Sequence, residues 1–303
     1  MATPPNVLLI VVDACRPDYL SPYANVVGKA YTRFDVFLLG WVGLTSAVGY
    51  YEVALSLTAL ATLISGVVMD GLISTTSNLA SRGRSVGETI ATTISYTSII
   101  AIPMFVLAVF LGDVLVEAIY GSAYLATVPF LVGIAAYRIV QTQREPLDSA
   151  VKGLDHPDAV FRISSLTLVV NLALGIALVV AVGAVGVVAA TVVAELFRCA
   201  LLHRALRRND EPVPVLPSPL KAQLRSAAGM AAVLGALTYV LPETLLHQAL
   251  VAGSVSVGVY LALFLYQDGV ARRSILGAGA VLRDVVAERT HSSRSNVGVT
   301  NQK

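Results

Sequence analysis

Arg33-Phe34-Asp35-Val36-Phe37-Leu38-Leu39-Gly40-Trp41-Val42-Gly43-Leu44-Thr45-Ser46-Ala47-Val48-Gly49-Tyr50-Tyr51-Glu52 opens the stretch whose reading decides the fold. An apolar run reaches Val48, the break Gly49-Tyr50-Tyr51-Glu52 follows, and a second apolar run continues to Asn78, ahead of Arg82 and Arg84. Two hydrophobic helices joined by a turn at Gly49 and stopped by arginine make a membrane hairpin. The rest of the chain repeats the arrangement.

Composition agrees. Of 303 residues, 56% are hydrophobic and 13% charged, and the mean hydropathy is +0.75. A soluble domain carries about a quarter charged residues, so most of this chain belongs in lipid. Its length holds about seven or eight spans of ~20 residues. A net charge of +2 gives no reason to expect a nucleic-acid partner. Cys15 and Cys199 form neither a disulfide framework nor a zinc spacing, and His156, His203 and His247 share no spacing, so no metal is expected. Met1 to Asn6 carries no basic segment of a signal peptide.

Hydropathy spacing predicts an all-α, polytopic membrane bundle of about eight spans behind a short non-membrane segment, residues 1–25. Span one has its outer end near Ser46, and span two runs from Gly49 past Val68. Span three covers Ile90 to Leu111 with a kink at Pro103. Span four covers Tyr124 to Thr142, and Gln143 to Asp158 reads as a polar connection broken by Pro146, Gly153 and Pro157. Span five is Val160 to Val182, a tight turn occupies Gly183 to Gly186, and span six reaches Leu202. Domain boundaries follow: a bundle over 26–207, a Pro-rich basic linker over 208–226, two C-terminal spans within 227–268, and a tail over 269–303.

The distribution of charge tests this threading independently. The outer segments 112–123, 182–186 and 242–248 contain no Lys or Arg, although the chain has 21. Arg144, Lys152, Arg207, Lys221 and Arg272 all fall on the other side. Cationic residues collect on the cytoplasmic face, so the expected setting is the cell membrane, multi-pass, with a cytoplasmic C-terminus.

Charges inside the bilayer cost on the order of 2.5–3.5 kcal/mol each on insertion scales. They persist where they pair or line a cavity. Arg33 and Asp35 lie on span one, Arg138 on span four, Glu195 and Arg198 on span six. Counted at ~1.5 Å per residue, the three arginines sit at similar depth in the inner half. A guanidinium holds phosphate oxygens in a planar fork, so these residues outline a diphosphate-binding cavity. Plainer roles stand beside that one. Glu195 and Arg198 are spaced to neutralise each other, Arg138 can snorkel to the surface, and Asn171 can glue helices together. Gly183 and Gly186 suit close helix packing. No catalytic residue is expected.

Two resemblances carry further expectations. Asn6 to Asp13, followed by Ala14-Cys15-Arg16-Pro17-Asp18-Tyr19, resembles the opening strand of the sulfatases, in which the strand-end acid, here Asp13, binds metal. Tyr19 stands where that family needs Arg, and no further ligands follow. The second resemblance covers about residues 30–270. Arg33-x-Asp35-x-x-x-Leu39-Gly40 with Ala47-Val48-Gly49-Tyr50-Tyr51, then Gly153-x-x-x-x-Pro157, Asn171-Leu172-Ala173-Leu174 and Gly183-Ala184-x-Gly186, is similar to the polysaccharide-biosynthesis flippases of the multidrug/oligosaccharidyl-lipid/polysaccharide, MATE-like superfamily. It implies membrane transport of polyprenyl-diphosphate-linked glycans through a cationic cavity, with membrane lipid as a second partner. Those proteins have two six-helix lobes and often two extra helices; this chain matches the second lobe and the extra pair. Alternating access needs two repeats, so the resemblance implies a first lobe from a second polypeptide, or a homodimer. Two other readings remain open: a truncated or fused accessory membrane protein without transport, and a sulfatase-like hydrolase.

With Cys15 and Cys199 replaced by serine, Glu117→Cys and Glu243→Cys are expected to react with a membrane-impermeant thiol reagent from the face opposite to Arg207→Cys. Labelling of all three from one face would overturn the alternation.

Overall fold

A computed structural model describes residues 34–240, 246–269 and 272. Residues 1–25, Arg33 and the tail beyond 272 lie outside the described residues, and with them the sulfatase-like segment and its Asp13. The described elements are helices: α1 (Phe34–Trp41), α2 (Thr45–Leu57), a 3₁₀ turn (Ala59–Thr62), α3 (Leu63–Ser81), α4 (Gly87–Thr97), α5 (Ala101–Tyr120), a second 3₁₀ turn (Ser122–Thr127), α6 (Val128–Gly153), α7 (Pro157–Val182), α8 (Val185–Arg208), α9 (Ser218–Val240) and α10 (Leu246–Gln267). Six stretches are long and apolar enough to cross a membrane: Ala59–Ser81, Gly87–Tyr120, Ser122–Gly153, Pro157–Val182, Val185–Arg208 and Leu246–Gln267. The expected eight are therefore not all recovered. Only the last part of span one is described, and α9 starts with Lys221, Gln223 and Arg225, too polar for the same criterion.

The first turn is not at Gly49, which lies inside α2. The chain turns at Gly43, whose φ of 80° is left-handed. Leu44 N–H donates to Leu39 O at 3.0 Å and Gly43 N–H to Gly40 O at 3.1 Å, the paired bonds of a Schellman cap. The third span also breaks earlier than Pro103. The helix is interrupted between Thr97 and Ala101, because Pro103 has no N–H to offer the Ile99 carbonyl and its ring crowds that oxygen. The supposed outer segment 112–123 is mostly helix, since α5 continues to Tyr120 before Gly121.

The largest departure concerns α6. Its 26 residues run through Gly153 with Pro146 inside, where the sequence suggested a polar connection. Pro146 leaves the Thr142 carbonyl without its helical donor. Thr97 of α4 supplies one: its hydroxyl donates to Thr142 O at 2.8 Å. Lipid offers no water to do this, so a proline survives mid-helix only with such a neighbour.

That helix is the axis of the bundle and touches α2, α3, α4, α5, α7 and α8. One apolar core gathers Leu39, Tyr51, Phe130, Ile134 and Val188 at its beginning. Another gathers Ile90, Leu147, Val151, Leu202 and Leu206 at its end. The α9–α10 hairpin packs on α5, and α9 reaches α4 as well. There Gln223, fully buried, donates to Ser95 O and accepts from Ser98 at 3.2 Å, which ties the appended pair to the break before α5. Large apolar side chains of α7 point outward, Phe161 and Val180 among them. An apolar outer face of that extent is what lipid contact requires.

Thr97→Val is expected to lower stability in detergent by about 1 kcal/mol, read from thermal unfolding. The loss should shrink in a Pro146→Ala background, where the helix supplies the missing N–H itself.

Candidate functional site

Asp35, the second residue of α1, is buried. The Tyr51 hydroxyl of α2 donates to its Oδ2 at 2.6 Å, and the Thr191 hydroxyl of α8 lies 2.8 Å from the same oxygen. Asn171 Nδ2 of α7 reaches Oδ1 at 3.5 Å. One carboxylate therefore joins four helices. Thr191 Oγ1 also lies 3.1 Å from Val187 O and 3.5 Å from Asn171 Oδ1. The oxygens collected here are one carboxylate, one amide, two hydroxyls and one backbone carbonyl. Among the described residues, no group of three or more His, Cys, Asp or Glu is placed to bind a metal.

Beside this clasp lies a cavity of about 370 Å³. Asp35, Tyr51, Arg138, Asn171, Thr191 and Glu195 contribute to its wall. Arg138 projects from α6 and is half-buried. Its guanidinium donates to neutral oxygens: Gln141 Oε1 at 2.8 Å, Thr58 Oγ1 at 3.3 Å and Leu55 O at 3.5 Å. The last two come from the end of α2, where the helix gives way to a 3₁₀ turn. Gln141 in turn donates to Glu145 at 2.7 Å. No ion pair joins Arg138 to a described carboxylate.

Arg198 has a different setting. It faces α6, where its NH2 donates to Asp148 at 2.8 Å. Arg144 also bonds Asp148, and its Nε lies 2.9 Å from Glu195. Asp148, Glu195 and Arg198 are all buried. Glu195 and Arg198 thus each pair across to α6. The structure brings Asp35, Arg138 and Glu195 to one cavity and takes Arg198 away from it; Arg33 lies outside the described residues. Sequence reading gave no site role to Tyr51, Thr191, Arg144 or Asp148, taking Arg144 as a cation of an inner connection. For the last two a signal existed, since their i,i+4 spacing suits a helical ion pair.

Gly183 and Gly186 make the turn between α7 and α8. Gly183 has a φ of 76°. A Cβ on Gly186 would stand 2.3 Å from Leu178 O, so only glycine permits this approach. Close contact there sets Asn171 and Thr191 at matching depth.

Comparison with known proteins points one way. Residues 22–129 match the family described as polysaccharide biosynthesis protein. The probable flippase AglR of Haloferax volcanii is 31% identical over 216 residues, covering 69% of this chain and 45% of that protein. The probable low-salt glycan biosynthesis flippase Agl15 of the same organism is 25% identical over 173 residues, covering 56% of this chain and 37% of that protein. The lipid II flippase MurJ, in an inward closed conformation, superposes with a TM-score of 0.64 at 15% identity, covering 83% of this chain and 52% of that one. This chain spans less than half the length of the two curated relatives. The sulfatase resemblance finds no support.

Asp148→Asn should destabilise the bundle by about 3–5 kcal/mol, because it leaves buried guanidinium groups short of a carboxylate. Thermal unfolding in detergent measures this, and Asp148→Leu combined with Arg198→Leu should restore part of the loss. By fold and by its similarity to proteins named as flippases, the chain is a multi-pass membrane protein.

Proposed function

We propose that the chain forms the cargo-handling lobe of a transporter that moves polyprenyl-diphosphate-linked glycans across the cell membrane, with its C-terminus in the cytoplasm. The observation that carries this reading is Arg138: a guanidinium on the wall of a polar cavity inside an apolar bundle, which among the described residues donates to neutral oxygens, while the carboxyl groups of Asp35, Glu52 and Glu195 lie elsewhere on the same wall. A charge kept in a membrane without a direct ion pair is costly. An arriving diphosphate would pair with it directly, in bidentate geometry. Asp35 and its ring of donors fix the helices around that cavity. The relatives, each named a flippase, support the same class of activity.

Alternating access around such a site needs a second lobe across the cavity. It comes from another stretch of polypeptide or from a second copy of this chain. The α9–α10 pair is an addition to the lobe, and the linker before it is a boundary between two units.

The test is binding of a polyprenyl-diphosphate sugar to the full chain in detergent. Arg138→Gln is expected to weaken it at least tenfold, and Arg138→Lys to keep part of it, since an ammonium retains the charge and loses the fork. Undiminished binding by Arg138→Gln would falsify the assignment.

A further inference from the structure

A second cavity, of about 690 Å³, lies away from Asp35, between α6, α8, α9 and the linker that joins α8 to α9. Its size is that of a ligand site. One stripe of α8 runs along it: Leu196, Cys199, Ala200, His203, Arg204 and Arg207. The spacing of i, i+3, i+4, i+7, i+8 and i+11 puts all six on one helical face. At ~1.5 Å per residue this stripe is about 16 Å long. Its beginning is apolar and its last turns are basic. Leu220 and Leu224 of α9 face it, and Val215 and Leu216 of the linker close one side. Leu196, Val215, Leu216 and Leu224 are each about half exposed, so the groove can be entered from its flank.

Among the described residues the basic end has no answering carboxylate. Arg204 and Arg207 are exposed and pair with none of the described residues. His203 stands in the same wall. Nothing in the flippase reading uses these groups.

We propose that this groove binds one anionic phospholipid of the surrounding bilayer, with an acyl chain along Leu196, Leu220 and Leu224 and its phosphate at Arg204 and Arg207. The shape and charge select that occupant. A soluble anion has no use for the apolar wall, and a zwitterionic lipid brings no net charge to neutralise two arginines. Basic pockets between membrane helices recognise anionic head groups for these reasons. The site joins α6, which carries Arg138, to α9 through one lipid. The inference stands on the groove alone and does not depend on what the Asp35 cavity carries.

The plain alternative is that Arg204 and Arg207 only complement the C-terminal dipole of α8 and its position at the membrane surface. That alternative predicts no lipid preference.

Cys199 in the groove wall provides the readout. The full chain carrying Cys15→Ser is held in dodecyl maltoside and titrated with phosphatidylglycerol or with phosphatidylcholine of identical chains, while alkylation of Cys199 is followed. Phosphatidylglycerol is expected to protect Cys199 at concentrations at least tenfold lower than phosphatidylcholine does. Arg204→Gln with Arg207→Gln, both on exposed positions, should abolish that difference, and native mass spectrometry should show the retained lipid lost from the double variant. Equal protection by both lipids overturns the proposal, as does a preference that survives in the double variant. Protection by a polyprenyl phosphate where phosphatidylglycerol gives none overturns it too, and assigns the groove to a prenyl tail.

Discussion

The central helix of this bundle is among its most polar, and it is tolerated there because α8 answers its charges. Arg144 and Asp148 of α6 meet Glu195 and Arg198 of α8 in a buried network. Isolated, any of these groups would be costly inside a bilayer. Paired across the interface, they fix the rotation and depth of α8 against α6, because a misregister of one residue leaves charges unanswered. Hydrophobic contact alone cannot do this between membrane helices, since lipid tails compete equally for apolar faces. The positions of Arg138 and Thr191, on these same two helices, follow from that register.

The Asp35 clasp extends the constraint to the remaining helices around the cavity. Tyr51, Asn171 and Thr191 come from α2, α7 and α8, and each finds the same carboxylate. A network of this kind holds when fully satisfied and is unfavourable when partly so. Thr191 has one hydroxyl hydrogen and two other oxygens within reach. The clasp therefore has alternative hydrogen-bond arrangements without any movement of the backbone.

Apolar runs located most of the helices, because lipid demands about 20 such residues per crossing. They misplaced ends and turns. Gly49 sits in a more polar stretch than Gly43, and hydropathy registers polarity while the turn required a left-handed φ. The run from Gln143 read as a connection because composition cannot distinguish polar groups facing water from polar groups met by another helix. For the site, Asp35 and Arg138 stood out as charges in apolar surroundings. Tyr51 and Thr191 did not, since a hydroxyl is cheap in an apolar helix and leaves no mark in the pattern. Arg198 was legible as a buried charge, but its partner lay on a segment not read as helix, so its distance from the cavity was not.

Environment, more than residue type, separates the arginines. A guanidinium already facing a buried carboxylate, as in Arg144 and Arg198, gains little from a second anion, and breaking its pair costs several kcal/mol. Arg138 is held by an amide, a hydroxyl and a carbonyl, and exchanging such neutral bonds costs far less. Gln141, when displaced from Arg138, still has Glu145 to bond. An anion can thus arrive without stranding a charge and leave without stranding one, since the neutral oxygens close again on the guanidinium. Under the proposed cargo role, such reversible capture is what the position has to provide, and a tighter ion pair there would hold the cargo instead of passing it on.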